Sequence, residues 1–358
     1  MKIVITAGGT GGHIFPALAV INKIKEKDKD VEILYIGTTD RMEKDIIPKQ
    51  NINYIGIKMI GLNRKNPFKN IEVMKTYYKA CKKAKEELSK FKPDIVIGFG
   101  GYISAPVIYA ASKLNIKTII HEQNSIPGVS NKFLSRYVDK ILVSFKESSE
   151  YFPKEKVIYT GNPRSEQIKD VKKVSKETLG FKKDLPLVII VMGSLGSLTM
   201  TNKLKEILPL FNNKNYQVLL ITGKNYYDDY KDIKLNNNVK LLPFYDNLIA
   251  IMKDTTLMVT RSGASTIAEL TSIGLPAIMV PSPYVTNNHQ YKNAKALDKG
   301  VEIIEEENFN KDTLIPLIDK LINDKKRLKE MSNELLKRKV LDSASKIYDV
   351  IESVVRDE

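Results

Sequence analysis

Short apolar stretches alternate with helix-like segments along the first half of the chain. The apolar runs are bounded by turn residues and read IVITAGG, EILYIG, DIVIGFGG, TIIHEQN and ILVSF. Between them lie segments in which apolar residues recur with the period of an α-helix, for example residues 16–27 and 71–90. Short apolar strands that alternate with helices predict a parallel sheet covered by helices on both faces.

The same alternation begins again in the second half. After a polar, lysine-rich stretch at residues 165–184, the runs LVIIVMGS, QVLLITG, VKLLPFY, LMVTRSG and PAIMVP follow in order. Two such series predict an α/β protein with two Rossmann-like, doubly wound domains, residues 1–162 and 163–340, that face each other across a cleft. We expect ligands to bind beyond the carboxyl ends of the strands, as they do in open parallel sheets.

A final amphipathic helix is predicted over residues 343–355. Ala344, Ile347, Ile351 and Val354 form one apolar stripe along it, which must pack against another element. The spacing does not say whether that element belongs to the second domain or to the first.

Composition excludes several classes of protein. With 358 residues, the chain is long enough for two domains with separate cores. No apolar run approaches the roughly 18–20 residues of a membrane span, and the glycines near the N-terminus interrupt the first apolar stretch too early for a signal peptide. The single cysteine, Cys81, excludes a disulfide framework and a cysteine metal site, and it suits a reducing compartment.

The formal net charge of +15 is unevenly distributed. Residues 1–162 hold 27 basic and 16 acidic side chains, and residues 58–92 alone hold 11 basic and 3 acidic ones, with Ile60, Leu62 and Phe68 among them. A basic face with apolar tips suits an anionic membrane surface, and no aromatic–basic motif points to nucleic acid. The alternative is compositional drift, since 49 of the 57 basic residues are lysines.

The loop after the first strand, AGGTGGH, contains four glycines and ends at His13. It is neither a dinucleotide fingerprint, because Ile14 stands where the third glycine belongs, nor a P-loop, because the lysine and serine are missing. Glycines still allow backbone N–H groups to approach an anion at the positive end of the following helix. The helix dipole disfavours a charged imidazole, so His13 is a candidate general base; the alternative is a helix-capping or packing role.

Polar or glycine-rich loops also follow later strands. GGY at 100–102 and HEQN at 121–124 end strands of the first half, and such loops at one sheet edge favour a binding site over packing alone. In the second half, Ser194 of GSLGS suits a phosphate ligand better than a nucleophile, because Met192 replaces the first glycine of a nucleophile elbow. Glu269 lies one turn into the helix after RSGAST, where its carboxylate can accept ribose hydroxyls or simply interact with the helix dipole.

Taken together, the motifs resemble the MurG family of N-acetylglucosaminyltransferases, which convert lipid I to lipid II in peptidoglycan synthesis. They follow the family's order from the first strand to about residue 300, and they are GGTGGH at 8–13, GFGGY at 98–102, HEQN at 121–124, GNP-R at 161–164, RSGAST-AEL at 261–270 and HQ-KNA at 289–294. No single motif decides the resemblance, but the set is highly specific.

The resemblance implies a GT-B fold in which the last helix, residues 341–358, packs back on the first domain. It implies a peripheral enzyme on the cytoplasmic face of the cell membrane, bound to the anionic surface through its basic N-terminal half. The implied substrates are UDP-N-acetylglucosamine and lipid I, an undecaprenyl-diphosphate-linked acceptor. No cofactor and no metal is implied, and the DKD sequence at 28–30 is interpreted as a solvated surface turn.

By the same resemblance, the donor binds mainly in the second domain. The implied contacts are, for the diphosphate, Arg164 and Ser194 with Ala264, Ser265 and Thr266; for the uracil, the backbone of Tyr245; for the ribose, Glu269; and for the sugar, Gln290 with His289. From the first domain, Thr10, Gly11, Gly12 and Asn124 are implied to reach the donor. One departure is that Leu195 stands where the family has an amide side chain, which leaves any contact of that side chain in doubt.

The implied reaction is an in-line attack by the muramoyl 4-hydroxyl of lipid I on the anomeric carbon, with inversion and departure of UDP. His13 is expected to take the hydroxyl proton, and Glu122 is the alternative base. Two rival functions stay open: a GT-B transferase with another lipid acceptor, and a nucleotide-sugar-binding protein without turnover, for which Met192 and Leu195 would be signs of decay.

Overall fold

The computed structural model describes three stretches of the chain, residues 1–61, 70–193 and 196–356. The chain divides into two compact units, the first made of Met1–Gln167 with Asp342–Glu358 and the second of Ile168–Leu341. The division therefore falls a few residues after the boundary predicted at 162/163.

The first unit is built on a parallel sheet. Its strands are β1 (Lys2–Thr6), β2 (Glu32–Thr38), β3 (Asn53–Ile57), β4 (Ile95–Gly98), β5 (Lys117–Glu122), β6 (Lys140–Val143) and β7 (Val157–Tyr159). Its helices up to the division are α1 (Gly11–Lys27), α2 (Glu43–Ile46), α3 (Asn70–Phe91), α4 (Ser104–Lys113), α5 (Val129–Leu134) and α6 (Arg164–Gln167). Within the described residues, the strand order is β3-β2-β1-β4-β5-β6-β7 and all neighbours are parallel.

The second unit repeats this arrangement. Its strands are β8 (Leu187–Val191), β9 (Gln217–Ile221), β10 (Val239–Leu242), β11 (Leu257–Thr260), β12 (Ala277–Met279) and β13 (Val301–Ile303). Its helices are α7 (Leu198–Ile207), α8 (Leu248–Met252), α9 (Ala264–Ile273), α10 (His289–Lys295), α11 (Lys311–Asn323) and α12 (Lys325–Leu336). In the part of the chain that the structure describes, the order is β10-β9-β8-β11-β12-β13, again all parallel, which is the strand order of a Rossmann sheet.

The prediction of two doubly wound parallel-sheet domains is confirmed. The sequence analysis did not predict β3, β7 and β13, which lie at sheet edges. These three strands are half-exposed, and β7 and β13 have only three residues each, so they lack the continuous apolar run of a central strand. Among the described residues, no helix has both the length and the apolar content that crossing a membrane requires.

The last helix, α13 (Ser343–Arg356), packs in the first unit. Its buried residues Ile347 and Ile351 belong to the same apolar cluster as Ile3 and Ile5 of β1. Val4, between these two strand residues, belongs instead to the cluster on the opposite face, with α3 and α4. Successive strand residues point to opposite faces, so one strand contributes to both cores.

Helix α1 begins at Gly11 rather than at the predicted residue 16. The carbonyl of Thr10, the N-cap, accepts the N–H groups of His13 at 3.1 Å and of Ile14 at 3.2 Å. Glycine is a poor helix former, so the pattern of propensities placed the glycines in a loop, whereas tertiary contacts hold them in the first turn. His13 is therefore in the first helical turn, beside N–H groups that no earlier turn can satisfy.

Candidate functional site

Two glycine loops of the first unit contact each other at the carboxyl edge of its sheet. Gly8 follows β1 and donates its N–H to the carbonyl of Gly100, which follows the neighbouring strand β4, at 3.3 Å. Gly101 has a φ of +81°, and a Cβ there would lie 2.3 Å from the Gly8 oxygen. A side chain at position 101 would therefore push the two loops apart.

His13 lies against both loops. Its Nδ1 is 3.1 Å from the carbonyl oxygen of Gly8. A carbonyl only accepts, so Nδ1 carries the proton in this hydrogen bond and, in the neutral ring, Nε2 carries the lone pair. Nε2 is 3.2 Å from the position that a Cβ of Gly100 would occupy, so the missing side chain makes room for the ring. His13 is half-buried, in a form suited to accepting a proton at Nε2.

Glu122, the alternative base, is engaged by its own chain. Its Oε1 accepts the backbone and side-chain N–H groups of Asn124, at 3.0 and 3.2 Å. Its Oε2 accepts from the Gly128 N–H at 3.0 Å and from Asn131 Nδ2 at 2.9 Å. Burial raises the pKa of Glu122, and these hydrogen bonds act against that rise. These contacts suit a carboxylate that stabilises the loop after β5, and they hold the predicted donor residue Asn124 within that loop.

His121 is also held internally. Its Nε2 is 3.1 Å from the Gly161 carbonyl and its Nδ1 is 3.1 Å from Gln123 Nε2, so Nε2 carries the proton. Burial lowers the pKa of His121 to about 4. A fully buried neutral imidazole bonded at both nitrogens stabilises the junction of β5 with the loop after β7.

Thr10, Gly11, Gly12 and Arg164, four of the predicted donor residues, lie at or beside the start of α1. Thr10 and Gly12 are exposed there, and Gly11 has the ring of Phe15 directly beside it. The guanidinium of Arg164 lies over the same ring, 5.8 Å from its centre, and its Nη1 donates to Gln167 Oε1 at 2.5 Å. Arg164 thus belongs to the first unit and lies next to the positive end of α1.

In the second unit, α9 carries four predicted donor residues. Ala264, Ser265 and Thr266 form its first turn directly after β11, and Glu269 follows within the helix. Among the described residues, the Ser265 hydroxyl is buried and has no hydrogen-bond partner. The start of a helix with an unsatisfied hydroxyl is a place where phosphate oxygens find donors.

Helix α10 places the last two predicted residues of the donor set. Gln290 accepts the Ser282 N–H at 2.9 Å through Oε1, so its amide N–H₂ is the group left to contact another molecule. His289 contacts the Thr286 carbonyl at 2.8 Å through Nδ1, and burial lowers its pKa. Asn293, one turn later, donates to the Ser262 carbonyl at 3.2 Å and so connects α10 to the segment before α9.

Two further predicted residues lie elsewhere. Tyr245 is half-buried and lies in the loop between β10 and α8. Ser194 lies outside the described residues, together with Leu195.

Two buried acidic residues that contact these loops were missed by the sequence analysis. Glu43, at the start of α2, accepts the N–H of Gly9 at 3.2 Å. Glu306 forms an ion pair with Arg261 at 2.6 Å and accepts from Thr199, in the first turn of α7, at 2.8 Å. Both stand in the charged stretches TDRMEKD and EEEN, which are typical of exposed turns. A single sequence therefore contains no signal that distinguishes these two glutamates from exposed ones.

Family models match both halves of the chain. The glycosyltransferase family 28 N-terminal domain matches residues 3–143, and the glycosyltransferase family 28 C-terminal domain matches residues 187–349.

Curated relatives match over their full length. A UDP-N-acetylglucosamine--N-acetylmuramyl-(pentapeptide) pyrophosphoryl-undecaprenol N-acetylglucosamine transferase of Bacillus cytotoxicus is 42% identical over 363 residues, which cover 99% of this chain and 100% of the relative. The protein of the same name from Bacillus licheniformis is 42% identical over 368 residues, covering 99% of each.

Solved structures agree with these matches. The crystal structure of Acinetobacter baumannii MurG aligns with a TM-score of 0.80 and 27% identity, covering 98% of this chain and 99% of that one. The calicheamicin glycosyltransferase CalG4 aligns with a TM-score of 0.70 at 12% identity, covering 99% of this chain and 98% of that one, which is a likeness of fold.

Proposed function

The chain belongs to glycosyltransferase family 28, and on that premise we propose how its residues carry out the reaction of its relatives. It is a UDP-N-acetylglucosamine-dependent glycosyltransferase with a GT-B fold, which transfers N-acetylglucosamine to lipid I and gives lipid II for peptidoglycan synthesis. The observation that carries this conclusion is the 42% identity across 99% of the chain to complete enzymes of that name. The predicted family, fold class and activity are confirmed.

His13 is the general base of the proposed mechanism. The 4-hydroxyl of the muramoyl sugar attacks the anomeric carbon of the donor, UDP leaves from the opposite face, and the hydroxyl proton moves to His13 Nε2. The hydrogen bond from Nδ1 to Gly8 supports this role, because it orients the ring and fixes the tautomer that has its lone pair on Nε2. Glu122 is the weaker candidate, since both of its oxygens already accept hydrogen bonds from the loop that follows it.

The start of α9 is the proposed site of the donor's diphosphate. Helix N–H groups and the Ser265 hydroxyl supply hydrogen-bond donors to the phosphate oxygens, with Ala264 and Thr266 beside them. Arg164 is proposed to neutralise the charge that develops as UDP leaves, and the Ser194 hydroxyl to donate a hydrogen bond to it, which is the kind of electrostatic stabilisation that dominates many enzymatic rates.

The rest of the donor contacts are proposed from the family resemblance. Glu269 holds the ribose, the backbone of Tyr245 contacts the uracil, and the amide N–H₂ of Gln290 and His289 contact the sugar. Thr10, Gly11, Gly12 and Asn124 complete the donor contacts that the resemblance implies.

Transfer of labelled N-acetylglucosamine tests the activity directly. The purified full chain is incubated with UDP-[¹⁴C]-N-acetylglucosamine and a lipid I analogue, and the labelled lipid product is separated from the donor. We expect labelled product with the lipid I analogue and none with a diacylglycerol or another glycolipid acceptor. Product with those acceptors alone would show another lipid glycosyltransferase, and UDP-sugar binding without product would show a protein without turnover.

We propose that the enzyme is peripheral on the cytoplasmic face of the membrane and binds it through the first unit. Helix α3 exposes Ile71, Met74 and Tyr78, which are 62%, 48% and 66% exposed and lie on one side of the helix at spacings of three and four residues. Phe133 of α5 is 43% exposed, and its ring is 6.5 Å from Tyr77, beside Tyr78. We name Ile71, Met74, Tyr78 and Phe133 the α3–α5 patch.

Basic side chains surround the α3–α5 patch. Lys75, Lys79 and Lys82 of α3 and Lys132 of α5 are all exposed. Apolar tips enter the headgroup region while lysines at their sides attract anionic lipid, each worth about 1 kcal/mol near the surface. Residues 62–69 of the predicted basic stretch 58–92, which include Leu62 and Phe68, lie outside the described residues.

Vesicle sedimentation tests this surface. We expect the enzyme to bind vesicles that contain phosphatidylglycerol and to bind phosphatidylcholine vesicles several-fold more weakly. Met74→Asp should weaken binding to the anionic vesicles by about tenfold or more, because it places a charge among the apolar tips. Leu210→Asp is the matched control, since Leu210 of the second unit is 47% exposed. Equal binding by the two variants would exclude the α3–α5 patch as the membrane surface.

A further inference from the structure

One peptide group of the opening glycine loop is bonded at both of its polar atoms. The peptide that joins Gly8 to Gly9 accepts the Nδ1–H of His13 through its carbonyl at 3.1 Å. The N–H of the same peptide donates to Glu43 Oε2 at 3.2 Å. A carboxylate, a peptide and an imidazole are thus hydrogen-bonded in series.

Glu43 is fixed at its end of this series. It is fully buried, and its Oε1 accepts from the Thr38 backbone at 3.1 Å and from the Thr38 hydroxyl at 2.7 Å. A Cβ at Gly8 would lie 2.5 Å from Glu43 Oε1, and a Cβ at Gly37 would lie 2.8 Å from Glu43 Cγ. The two glycines are therefore required for the carboxylate to reach the loop at all.

The series has a physical consequence for the imidazole. A carboxylate that accepts from a peptide N–H polarises the peptide and strengthens its carbonyl as an acceptor, because hydrogen bonds in a chain reinforce one another. The stronger acceptor holds the proton on Nδ1 more firmly and stabilises the positive charge that the ring gains when Nε2 takes a proton. In metal sites and catalytic triads a carboxylate does this by direct contact with the ring nitrogen; here a peptide stands between them.

We propose that Glu43 is a positioning residue for His13, acting through the Gly8–Gly9 peptide to orient the ring and to favour proton uptake at Nε2. The proposal rests on the role of His13 as general base proposed above. Glu43 itself touches neither substrate in this proposal.

Other ionisable or charged groups face the two ends of the series. Tyr35 and Tyr54 are beside Glu43, and burial, followed by the charge of Glu43, raises the pKa of both phenols. Asp40 and Asp45 contribute to the same effect at Tyr54. On the side of His13, the permanently charged Arg164 lies over Phe15 of the same helix.

Glu43→Gln tests the proposal, because it removes the charge and keeps the shape. We expect kcat to fall about tenfold with the KM for UDP-N-acetylglucosamine unchanged within about twofold, since donor contacts are not altered. The acid limb of the pH–rate profile should move to lower pH, because the protonated ring loses its stabilisation. Glu166→Gln is the control: it removes another carboxylate of the first unit, 16% exposed, and should leave kcat and the acid limb in place.

Imidazole ¹⁵N spectra give a readout that does not depend on activity. The chain has only three histidines, and His13→Asn identifies the signals of His13 by their loss. We expect the His13 signals of Glu43→Gln to titrate at lower pH than in the wild type and to show a smaller fraction of the Nδ1–H tautomer. If Glu43→Gln does not fold, Glu43→Asp is measured instead. Its shorter side chain moves the carboxylate away from the Gly9 N–H, so the same results are expected.

The double variant distinguishes the proposed role of Glu43 from the proposed role of His13 as general base. His13→Ala should lower turnover by about 10²–10⁴-fold, the usual effect of losing a general base, and adding Glu43→Gln should cost little more. Wild-type turnover in His13→Ala would overturn the base assignment itself. A large loss in His13→Ala with an unchanged kcat, acid limb and His13 titration in Glu43→Gln would overturn only the role of Glu43. Fully additive losses would also overturn it, since Glu43 would then act independently of His13.

Discussion

His13, in the first turn of α1, and His121, near the end of β5, lie at the carboxyl edge of the same sheet, yet their surroundings give the two imidazoles different roles. His13 is half-buried and bonded to a carbonyl through Nδ1, whereas His121 is fully buried and bonded through both nitrogens. An imidazole with both nitrogens engaged cannot exchange protons with a substrate, and it stabilises the fold only while it is neutral.

Stability should therefore fall on acidification because of His121. The pKa of about 4 in the folded protein lies below the ordinary 6.5, so between these values the unfolded chain binds a proton that the folded chain does not. The stability contribution of neutral His121 is fully present above pH 6.5. Below that pH the free energy of unfolding falls by about 1.4 kcal/mol for each pH unit, and the accumulated loss is about 3 kcal/mol near pH 4. Urea unfolding of the wild type and of His121→Gln between pH 7 and 4.5 measures it. The variant, although less stable at pH 7, should lose less stability than the wild type over that range; equal slopes would contradict the assignment.

At the scale of elements, the sequence predicted those helices and strands whose own side chains form a clear local pattern. The central strands and the long helices α3 and α13 have strong apolar patterns, and the predicted bounds of these two helices agree with the structure within one residue. The start of α1 and the edge strands β3, β7 and β13 depended on tertiary contacts that no local pattern contains.

The candidate site shows the same division. Glycine loops and strand ends could be predicted, because runs of glycines and polar residues interrupt the apolar pattern of the strands. Glu43 was not readable, because its role depends on a peptide 34 positions earlier in the chain. The site residues themselves remain predictions until the variants are measured.

Besides its apolar packing, α13 is connected to α6 and α1 through the carboxylate of Glu166, and removing this charge should destabilise the first unit. Glu166 accepts from the Ser345 N–H at 2.8 Å and from its hydroxyl at 2.7 Å, and it pairs with Lys23 at 2.9 Å. Burial acts to raise the pKa of Glu166, but the hydrogen bonds from Ser345 and Lys23 outweigh it and lower that pKa. The stabilisation is thus present above the ordinary pKa of a glutamate and is lost as the pH falls through the folded value.

Glu166→Gln should lower the free energy of unfolding by about 1 kcal/mol at pH 7. The difference from the wild type should shrink on acidification, as the wild-type carboxylate becomes protonated. Urea unfolding at pH 7 and near pH 3.5 measures both. Glu150→Gln, an exposed carboxylate of the same unit, is the matched control and should have little effect. A difference that grows at low pH would contradict the assigned sign.

At the scale of the whole molecule, the chain enters the second unit once and returns to the first. The second unit is one continuous segment, residues 168–341, whereas the first needs the C-terminal segment that contains α13 to complete its core. Ile347 and Ile351 of that helix are fully buried in the cluster that also contains Ile3 and Ile5. Removing the helix would expose this cluster, and each lost large side chain typically costs 2–5 kcal/mol, comparable with the stability of a whole domain.

The two units should therefore differ when they are expressed alone. Residues 168–341 should give a soluble fragment with one cooperative unfolding transition, since its sheet and core are contiguous. Residues 1–167 should be insoluble or bind a hydrophobic dye, and adding a peptide of residues 342–358 should restore a cooperative transition. A peptide with Ile347→Asp and Ile351→Asp keeps the length and the helix but not the apolar stripe, so it should fail to rescue. Cooperative unfolding of residues 1–167 without any peptide would show that the core of the first unit is complete without α13. The return of the chain to the first unit would then not be needed for that unit to fold.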